Sequence, residues 1–391
     1  MARNLREDFQ RGCGLFSCGY VGRRCIDDKK YDGYDGAAKE LNQGIKEGLF
    51  KMRTKRIVFV GERKAQLQEF ELDESLAGHE IMVRTLYSII SAGTEGAAFT
   101  GLEREHPAVS NFSYPYFPGY GNLGEVLAVG NDVSDYRIGD IVFSTAGHQL
   151  HWKFDTVRGH LCVPVPEGLP LLMAVFGRMA AVGIAAIRKA DYSLGDKVLV
   201  IGAGLVGNFA AQEFQLAGCE VMLTDISEFR LQCARKCGIT RVLNPNQDDL
   251  YEAVRAWTGD KGVQISVEAV GDVRLIAQAV ELTRPRGEVI LLGTPRKRLA
   301  LDCTPMLSRI HLRGITMKGA LEWLYPVRES DYQRFTVTGN LKQIFQWLKE
   351  GLLKTKPLLT HLFSPNQCQE AYEGLERKKD KYLGVVFDWS K

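Results

Sequence analysis

The stretch that decides the fold is KVLVIGAGLVG, residues 197–207. A continuous apolar run meets three glycines, Gly202, Gly204 and Gly207, and a helix-forming stretch follows. This G-x-G-x-x-G spacing between a strand and a helix is typical of a dinucleotide-binding turn. The first glycine permits the tight turn, the second lets a pyrophosphate approach the backbone, and the third lets the helix pack on the strand. The free N–H groups at the start of the helix would then face the phosphates.

Asp225 ends the next predicted strand, eighteen positions after Gly207. An acidic side chain at this place hydrogen-bonds the ribose hydroxyls of NAD, and it would repel the 2′-phosphate of NADP. Arg230 lies further along the chain and would weaken that repulsion. We therefore predict a Rossmann domain that prefers NAD to NADP, with Leu205 and Val206 also at the cofactor turn.

The chain around this turn alternates between strand and helix from residue 197 to about residue 294. EVMLTD, RVLN, VQISVEAVG and EVILLGT are short apolar runs, and helical stretches separate them. Strands that are apolar on both faces and alternate with helices form a parallel, doubly wound sheet.

The flanking regions carry a different pattern. Residues 55–168 contain short β-branched runs, such as IVFV and DIVFSTA, separated by Gly, Asn and Asp. The closing stretch YLGVVFDW is predicted to return to this β-rich domain as a strand. The predicted organisation is therefore an N-terminal extension (1–51), a β-rich catalytic domain (52–177), a Rossmann domain (178–320) and a return to the catalytic domain (321–391).

The bulk composition excludes several classes of protein. With 391 residues, 45% of them hydrophobic and 25% charged, the chain has the size of two globular domains. A net charge of +3 is too small for a nucleic-acid groove. No apolar run reaches the ~18 residues of a membrane span. The nine cysteines form no recognisable zinc or disulfide pattern, and the N-terminus lacks a secretory signal. We therefore predict a cytoplasmic protein that binds neither nucleic acid nor membrane.

The domain order and several motifs resemble the medium-chain dehydrogenase/reductase superfamily, the zinc-alcohol-dehydrogenase-like enzymes. The resemblance covers about residues 52–389 and rests on GEVLAVGNDVSDYRIGDIV, LGDKVLVIGAGLVG, VEAVG and GEVILLGT. It implies an α/β protein in which a Rossmann domain is inserted into a β-rich GroES-like catalytic domain. It also implies an NAD(P)-dependent oxidoreductase acting on CH–OH groups, and a homodimer or homotetramer paired through residues 313–320. The cofactor residues implied at the later strand ends are Val270, Gly271, Gly293 and Thr294.

The zinc ligands of this superfamily are missing at the matching positions. Zinc members carry C-G-x-D early and G-H-E later, whereas this chain has SAGTE and FPGYGNLGE. Ala92 replaces the cysteine, Tyr120 the histidine and Gly121 the glutamate, so we predict a zinc-independent enzyme. These two segments and the His-Gln pair after DIVFSTA resemble a zinc-lacking branch that contains bacteriochlorophyllide a dehydrogenase. That resemblance implies oxidation of a secondary alcohol.

Without zinc, the hydroxyl proton that leaves during hydride transfer needs a protein group to receive it. A histidine is the best intrinsic match near neutral pH, and His148 is the candidate, with His151 as its competitor. Glu95 is predicted to act as a base or to orient His148. Tyr120 is predicted to donate to a substrate oxygen or to fill the vacated metal cavity. Each of these side chains also has a structural alternative, as a residue satisfied within the protein.

Three further polar side chains are predicted to contact the substrate: Ser91, Gln149 and Arg178. Arg178 lies in an apolar helical stretch, where a buried charge needs a partner. That partner is either an anion of the substrate or cofactor, or an acidic side chain of the protein.

The sequence thus predicts a zinc-independent, NAD-dependent dehydrogenase of a secondary alcohol, sugar-like or polyol-like. Two alternatives remain open at this point. One is an NADPH-dependent enone or quinone reductase, and the other is a non-catalytic NAD-binding redox sensor.

Overall fold

The computed structural model describes residues 51–106, 111–329 and 331–391. The predicted N-terminal extension lies outside these residues, except for Lys51, where the first strand begins. Within the described residues the strands are β1 Lys51–Gly61, β2 Lys64–Asp73, β3 Glu80–Ile89, β4 Asn122–Val129, β5 Ile141–Ser144, β6 His151–Asp155, β7 Cys162–Pro164, β8 Lys197–Ile201, β9 Glu220–Thr224, β10 Arg241–Leu243, β11 Val263–Glu268, β12 Thr283–Leu291, β13 Thr316–Gly319, β14 Leu359–Phe363 and β15 Gly384–Asp388.

Helices connect most of these strands. The α-helices of the described residues are Thr94–Phe99, Leu171–Ala174, Gly177–Lys189, Leu205–Leu216, Glu228–Lys236, Leu250–Thr258, Val273–Leu282, Thr304–Arg313, Val337–Lys349 and Cys368–Arg377. Short 3₁₀ helices lie at Leu102–Glu105, Glu322–Leu324 and Pro365–Gln367. None of the helices in the described part of the chain is long and apolar enough to cross a membrane.

Six parallel strands form the predicted doubly wound sheet, in the order β10-β9-β8-β11-β12-β13. The strand order reverses between β8 and β11, and ligands of open α/β sheets bind in the crevice outside the carboxyl ends of the strands at such a reversal. Several helices begin with the side-chain caps expected at their N-termini; Asp249, for example, accepts the backbone N–H groups of Tyr251 and Glu252. The predicted Rossmann architecture is confirmed.

A second, mixed sheet carries the catalytic domain, in the order β14-β15-β3-β4-β5-β7, with β6 paired to β3. β15 runs antiparallel to β3 and parallel to β14. The closing stretch of the chain therefore forms a strand in the same sheet as β3.

The helix Gly177–Lys189 joins the two domains, because it packs on the helix Leu205–Leu216 of the nucleotide domain. A Cβ on Gly183 would lie 3.0 Å from the Ala210 backbone nitrogen, so the small residue allows this close approach. One apolar cluster continues through both domains and includes Phe143, Phe176, Phe209 and Phe345. This shared core fixes the catalytic domain against the nucleotide sheet.

Candidate active site

The glycine-rich turn lies at the carboxyl edge of the parallel sheet, between β8 and the helix Leu205–Leu216. Gly202 has a φ of +107°, in the left-handed region that favours glycine. A Cβ on Gly207 would lie 1.9 Å from the Gly202 carbonyl oxygen, whereas a Cβ on Gly204 would meet nothing within 4 Å. Helix and strand therefore pack closely at Gly207 while the backbone at Gly204 faces open space. These residues fit the pyrophosphate of a dinucleotide.

Asp225 follows β9 and is tied to the glycine-rich turn. Its Oδ2 accepts the Ala203 backbone N–H at 2.8 Å, and its Oδ1 accepts the Ser227 N–H at 2.8 Å. Arg230 Nη1 lies 3.7 Å from Oδ2. A carboxylate offers about four lone-pair sites, so two remain for ribose hydroxyls. This geometry leaves room for the predicted ribose contact of Asp225, with a cation beside the carboxylate, and that role stays a prediction.

The loops after β11 and β12 complete this edge of the sheet. The carboxylate of the buried Glu268 accepts the Val270 and Gly271 N–H groups at 2.9 and 2.8 Å. Burial raises the pKa of Glu268, and these backbone hydrogen bonds act in the opposite direction. A Cβ on Gly271 would lie 2.4 Å from the Thr294 carbonyl oxygen, and one on Gly293 would lie 2.3 Å from the Gly271 nitrogen. The two loops thus touch each other, and Val270 and Thr294 are exposed beside them.

Ser91 and Tyr120 form a hydrogen-bonded pair on the catalytic domain, with 2.5 Å between Oγ and OH. Ser91 comes shortly after β3 and Tyr120 shortly before β4, and the antiparallel pairing of these strands brings the two residues together. Tyr120 is half-buried, and Ala92 and Gly93 beside Ser91 are exposed. Two hydroxyl groups, either of which can be the donor, therefore meet between the buried Ser91 and the half-buried Tyr120, next to the exposed Ala92.

Arg296 connects this pair to the nucleotide domain. It lies in the loop after β12, where its Nε donates to Glu103 Oε2 at 2.9 Å. Its Nη2 lies 3.4 Å from Thr94 Oγ1, which in turn lies 3.5 Å from the Tyr120 hydroxyl. The Ser91–Tyr120 pair thus lies beside the cofactor loop that carries Thr294.

His148 and Glu95 form a buried pair adjacent to Ser91. His148 Nε2 lies 2.9 Å from Glu95 Oε2, and the exposed fractions of the two side chains are 0% and 1%. The other carboxylate oxygen of Glu95 accepts the Ser91 backbone N–H at 2.8 Å. Tyr372 donates to Glu95 Oε2 at 2.6 Å. Burial and the Glu95 charge raise the pKa of Tyr372, which keeps its proton for this hydrogen bond.

The second ring nitrogen of His148 also has a protein partner. Its Nδ1 lies 2.8 Å from Ser88 Oγ, which accepts the Trp389 indole N–H at 2.8 Å. His148 is therefore connected to the Ser91–Tyr120 pair through Glu95. Its predicted part in proton transfer stays a prediction.

Arg178 is fully buried, and its guanidinium forms an ion pair with the Glu322 carboxylate. The guanidinium carbon lies 4.9 Å from the ring centre of Tyr120 and 5.0 Å from that of Trp323. A Cβ on Gly121 would lie 2.7 Å from Arg178 Cγ, so the glycine makes room for the arginine side chain. The sequence left open whether Arg178 pairs with a bound anion or with an acidic side chain of the protein. In the structure its partner is the acidic side chain of Glu322.

Gln149 and His151 are tied to the β1 side of the catalytic domain. The Gln149 backbone pairs with Arg56, and its carbonyl oxygen accepts the Thr85 hydroxyl at 2.5 Å. His151 Nδ1 lies 2.9 Å from Thr54 Oγ1, and burial lowers its pKa. The predicted contacts of Gln149 with substrate stay a prediction.

The side chains present do not fit a catalytic zinc ion. Across residues 51–106, 111–329 and 331–391, no three His, Cys, Asp or Glu side chains come together as a metal site. Ala92 and Gly121 carry no ligand atoms, and His148 and Glu95 bind each other.

Sequence reasoning did not anticipate four residues of this site: Thr94, Arg296, Glu322 and Trp323. For Arg296 a signal was available, because it lies two positions after Thr294 in the basic stretch TPRKR. Glu322 and Trp323 gave no such signal, since they lie far along the chain from Arg178.

Comparison with known proteins agrees with the architecture. Residues 206–330 match the model of a family described as zinc-binding dehydrogenase. Over 303 residues the chain is 27% identical to L-threonine 3-dehydrogenase from Photorhabdus laumondii. This alignment covers 70% of this chain and 83% of that protein.

Two solved structures share the fold. Galactitol-1-phosphate dehydrogenase from Escherichia coli superposes with a TM-score of 0.72 at 20% identity, over 85% of this chain and 99% of that chain. A short chain alcohol dehydrogenase from Escherichia coli CFT073, solved with NADH, superposes with a TM-score of 0.70 at 18% identity, over 86% of this chain and 99% of that chain.

The family match covers the helix that follows the glycine-rich turn and the strands β9 to β13, whereas Gly202, Gly204, Ala92, Tyr120 and Gly121 lie outside it. Asp225 and the loops after β11 and β12 lie within the matched residues. Residues 206–330 are thus similar to the zinc-binding dehydrogenase family, the homologues are named dehydrogenases, and the protein is an NAD(P)-dependent oxidoreductase.

Proposed function

We propose that this protein is a zinc-independent, NAD-dependent dehydrogenase that oxidises a secondary hydroxyl group of a sugar-like or polyol-like molecule, or reduces the corresponding ketone. The observation that carries the proposal is the Ser91–Tyr120 hydroxyl pair, 2.5 Å apart, beside the cofactor loop after β12. Proton-transfer groups and a dinucleotide turn are the two components that alcohol oxidation requires.

The Tyr120 hydroxyl is the group that we assign to the reacting oxygen. NAD, when bound, supplies the acceptor for the hydride that leaves the carbinol carbon. As the substrate hydroxyl gives its proton to the Tyr120 oxygen, Tyr120 gives its own hydroxyl proton to Ser91 Oγ, and Ser91 releases its hydroxyl proton to solvent, so that both side chains are again neutral. Thr94 Oγ1, 3.5 Å from the Tyr120 hydroxyl, is placed to orient the substrate oxygen.

Glu95 and His148 support this pair from within the protein. Glu95 fixes the Ser91 backbone, and His148 fixes Glu95. We propose that both contribute to catalysis through Ser91. Direct exchange of a proton between His148 and substrate would require its hydrogen bonds with Ser88 and Glu95 to open.

We propose zinc independence because Ala92, Tyr120 and Gly121 stand where the superfamily carries its metal ligands. The Tyr120 hydroxyl takes over the contact to the substrate oxygen that a metal would make. With this assignment, we propose that the chain belongs to the zinc-lacking branch that contains bacteriochlorophyllide a dehydrogenase.

The proposed substrate class rests on the polar lining of the site and agrees with the relatives, which include an L-threonine 3-dehydrogenase and a galactitol-1-phosphate dehydrogenase. The NAD preference rests on Asp225. The six cysteines that the structure describes are free thiols, which agrees with the proposed cytoplasmic setting.

The proposed assembly is a homodimer or homotetramer. β13 is the edge strand of the parallel sheet, and Leu307 and Leu312 on the neighbouring helix are 57% and 77% exposed. An edge strand with apolar neighbours needs a cover, which a second copy would supply. Light scattering at micromolar concentration tests this, and a monomer would contradict it.

The decisive experiment is a screen of secondary alcohols and ketones with NAD and NADH, followed by variants of the hydroxyl pair. Tyr120→Phe keeps the ring and removes only the hydroxyl, so kcat should fall by about 10²–10⁴-fold, the usual contribution of a positioned acid or base. Cofactor affinity should stay unchanged. The matched control is Tyr114→Phe, because the Tyr114 hydroxyl donates only to the Ala98 carbonyl oxygen.

Two outcomes would contradict the proposal. One is wild-type turnover by Tyr120→Phe on an alcohol that the enzyme oxidises. The other is reduction of enones with NADPH in the absence of any alcohol activity, which would favour the enone reductase.

A further inference from the structure

We infer that Glu322 and Trp323 belong to the active site, as positioning residues that hold the Arg178 guanidinium against the ring of Tyr120. The inference rests on the proposed role of Tyr120 and adds to it a segment that lies between β13 and the helix Val337–Lys349. That segment carries none of the cofactor residues.

The contacts of this cluster fix the position of the Arg178 side chain. Arg178 has no exposed surface, and its charge is balanced by Glu322, whose side chain is 5% exposed. The aromatic rings of Tyr120 and Trp323 lie 4.9 and 5.0 Å from the same guanidinium carbon. A cation within about 6 Å of an aromatic ring centre is attracted to the ring face. Arg178 therefore links the two rings, and Glu322 fixes Arg178.

The support leaves little freedom to Arg178. A Cβ on Gly121 would lie 2.7 Å from Arg178 Cγ, so the backbone next to Tyr120 packs directly on the aliphatic part of the arginine. A buried cation cannot leave its carboxylate without a large desolvation cost. The ring of Tyr120 thus contacts an arginine whose aliphatic part packs on Gly121 and whose guanidinium is paired with Glu322.

The same cluster reaches the surface through Trp323. Its ring contacts that of the exposed His160, with 4.7 Å between the centres. Burial lowers the pKa of His160, and the Arg178 charge lowers it further. Because Glu322 and Trp323 both contact Arg178, a displacement of segment 322–324 would also displace Arg178 and the Tyr120 ring that it contacts.

The test compares Glu322→Gln with Glu322→Asp, and Trp323→Ala with Trp323→Phe. Glutamine removes the charge partner and aspartate keeps it; alanine removes the ring face and phenylalanine keeps it. We expect the Gln and Ala variants to lose roughly ten- to a hundredfold in kcat, as misplaced reacting groups do, with KM for NAD nearly unchanged. The Asp and Phe variants should recover most of this loss.

The matched control is Trp257→Ala, which removes an aromatic ring that also lies 5.0 Å from an arginine, Arg241, but in the nucleotide domain. It should leave kcat unchanged. If Trp323→Ala behaves as this control does, with a lower melting temperature and an unchanged kcat, Trp323 has only a structural role and the inference is wrong.

A second readout does not depend on turnover. Protein labelled with 3-fluorotyrosine gives a ¹⁹F resonance for Tyr120, identified by its loss in Tyr120→Phe. That resonance should shift or broaden in Glu322→Gln and stay in place in Glu322→Asp and Trp257→Ala. An unchanged resonance in Glu322→Gln overturns the inference. Absence of alcohol turnover in the wild-type protein overturns the proposed function and leaves this spectrum to decide the positioning role.

Discussion

Replacement of Asp225 is the sharpest test of cofactor choice. Both carboxylate oxygens already accept backbone N–H groups, from Ala203 and Ser227 at 2.8 Å. Asp225→Asn keeps one acceptor oxygen and replaces the other by an amide that donates. The variant therefore loses the charge, and its amide nitrogen also removes the acceptor of one of these two backbone N–H groups, whereas Asp225→Ser removes both carboxylate oxygens.

The size of the effect follows from these contacts. A hydrogen bond to a charged group contributes about 1.5–3 kcal/mol. Since every 1.4 kcal/mol is about tenfold in affinity, NADH should bind Asp225→Asn about 10- to 100-fold more weakly. NADPH should bind the variant more tightly than it binds the wild-type protein, because the repulsion of its 2′-phosphate is removed. Arg230, 3.7 Å from the carboxylate, would then contact that phosphate.

The assay is a fluorescence titration with NADH and NADPH at fixed ionic strength, with melting temperatures measured in parallel. Asp196→Asn is the matched control, because Asp196 also accepts a backbone N–H at 2.8 Å, from Ser193, and lies before β8 at the other edge of the sheet. Wild-type protein that binds NADPH as tightly as NADH would refute the reasoning, as would an unchanged preference in Asp225→Asn.

Three further predictions concern stability, metal and the buried histidine. Burial raises the pKa of the fully buried Glu213 well above its ordinary value, and the Arg188 charge only partly opposes this. The Glu213 carboxyl therefore takes up a proton on folding at a pH between its pKa in the unfolded state and its pKa in the folded state. The stability that this protonation contributes is complete below the unfolded pKa of about 4.3 and is lost as pH rises through the folded pKa. Glu213→Gln should accordingly gain melting temperature relative to wild type between about pH 5 and 8, and parallel curves would contradict this. Chelator-treated protein should keep its activity and melting temperature, and stoichiometric zinc retained after dialysis would remove the zinc-independent mechanism. His148→Ala should lower kcat with NAD affinity unchanged, because Glu95, which fixes the Ser91 backbone, loses its partner; wild-type turnover would exclude a contribution of His148 to catalysis.

Much of the nucleotide domain could be predicted because its signals are local. The helix-forming stretch predicted after the glycines forms the helix Leu205–Leu216, since the glycine spacing and the apolar run leave one arrangement of strand, turn and helix. The return of the closing strand was predicted from its apolar pattern and the domain order. Its partner, β3, emerged only in the folded sheet.

The catalytic side depended on contacts between distant segments. The sequence indicated that Arg178 needs a partner, but the choice of Glu322 follows from the position of segment 322–324 beside the helix Gly177–Lys189. His148 was a candidate base because an imidazole titrates near neutral pH. Its burial arises because Tyr372 and Trp389, from the C-terminal return, enclose the Glu95–His148 pair.

The sequence by itself therefore determined the Rossmann turn, the acid at the end of β9 and the loss of zinc-ligand residue types, because each depends on residue identity at short spacing. Only the tertiary structure decided that Ser91 and Tyr120 share a hydrogen bond, that Arg296 bridges the two domains and that Arg178 is paired within the protein. The physical reason is that hydrogen bonds and ion pairs act over a few ångströms in space. Strand pairing and helix packing, rather than separation along the chain, determine which side chains come within that distance.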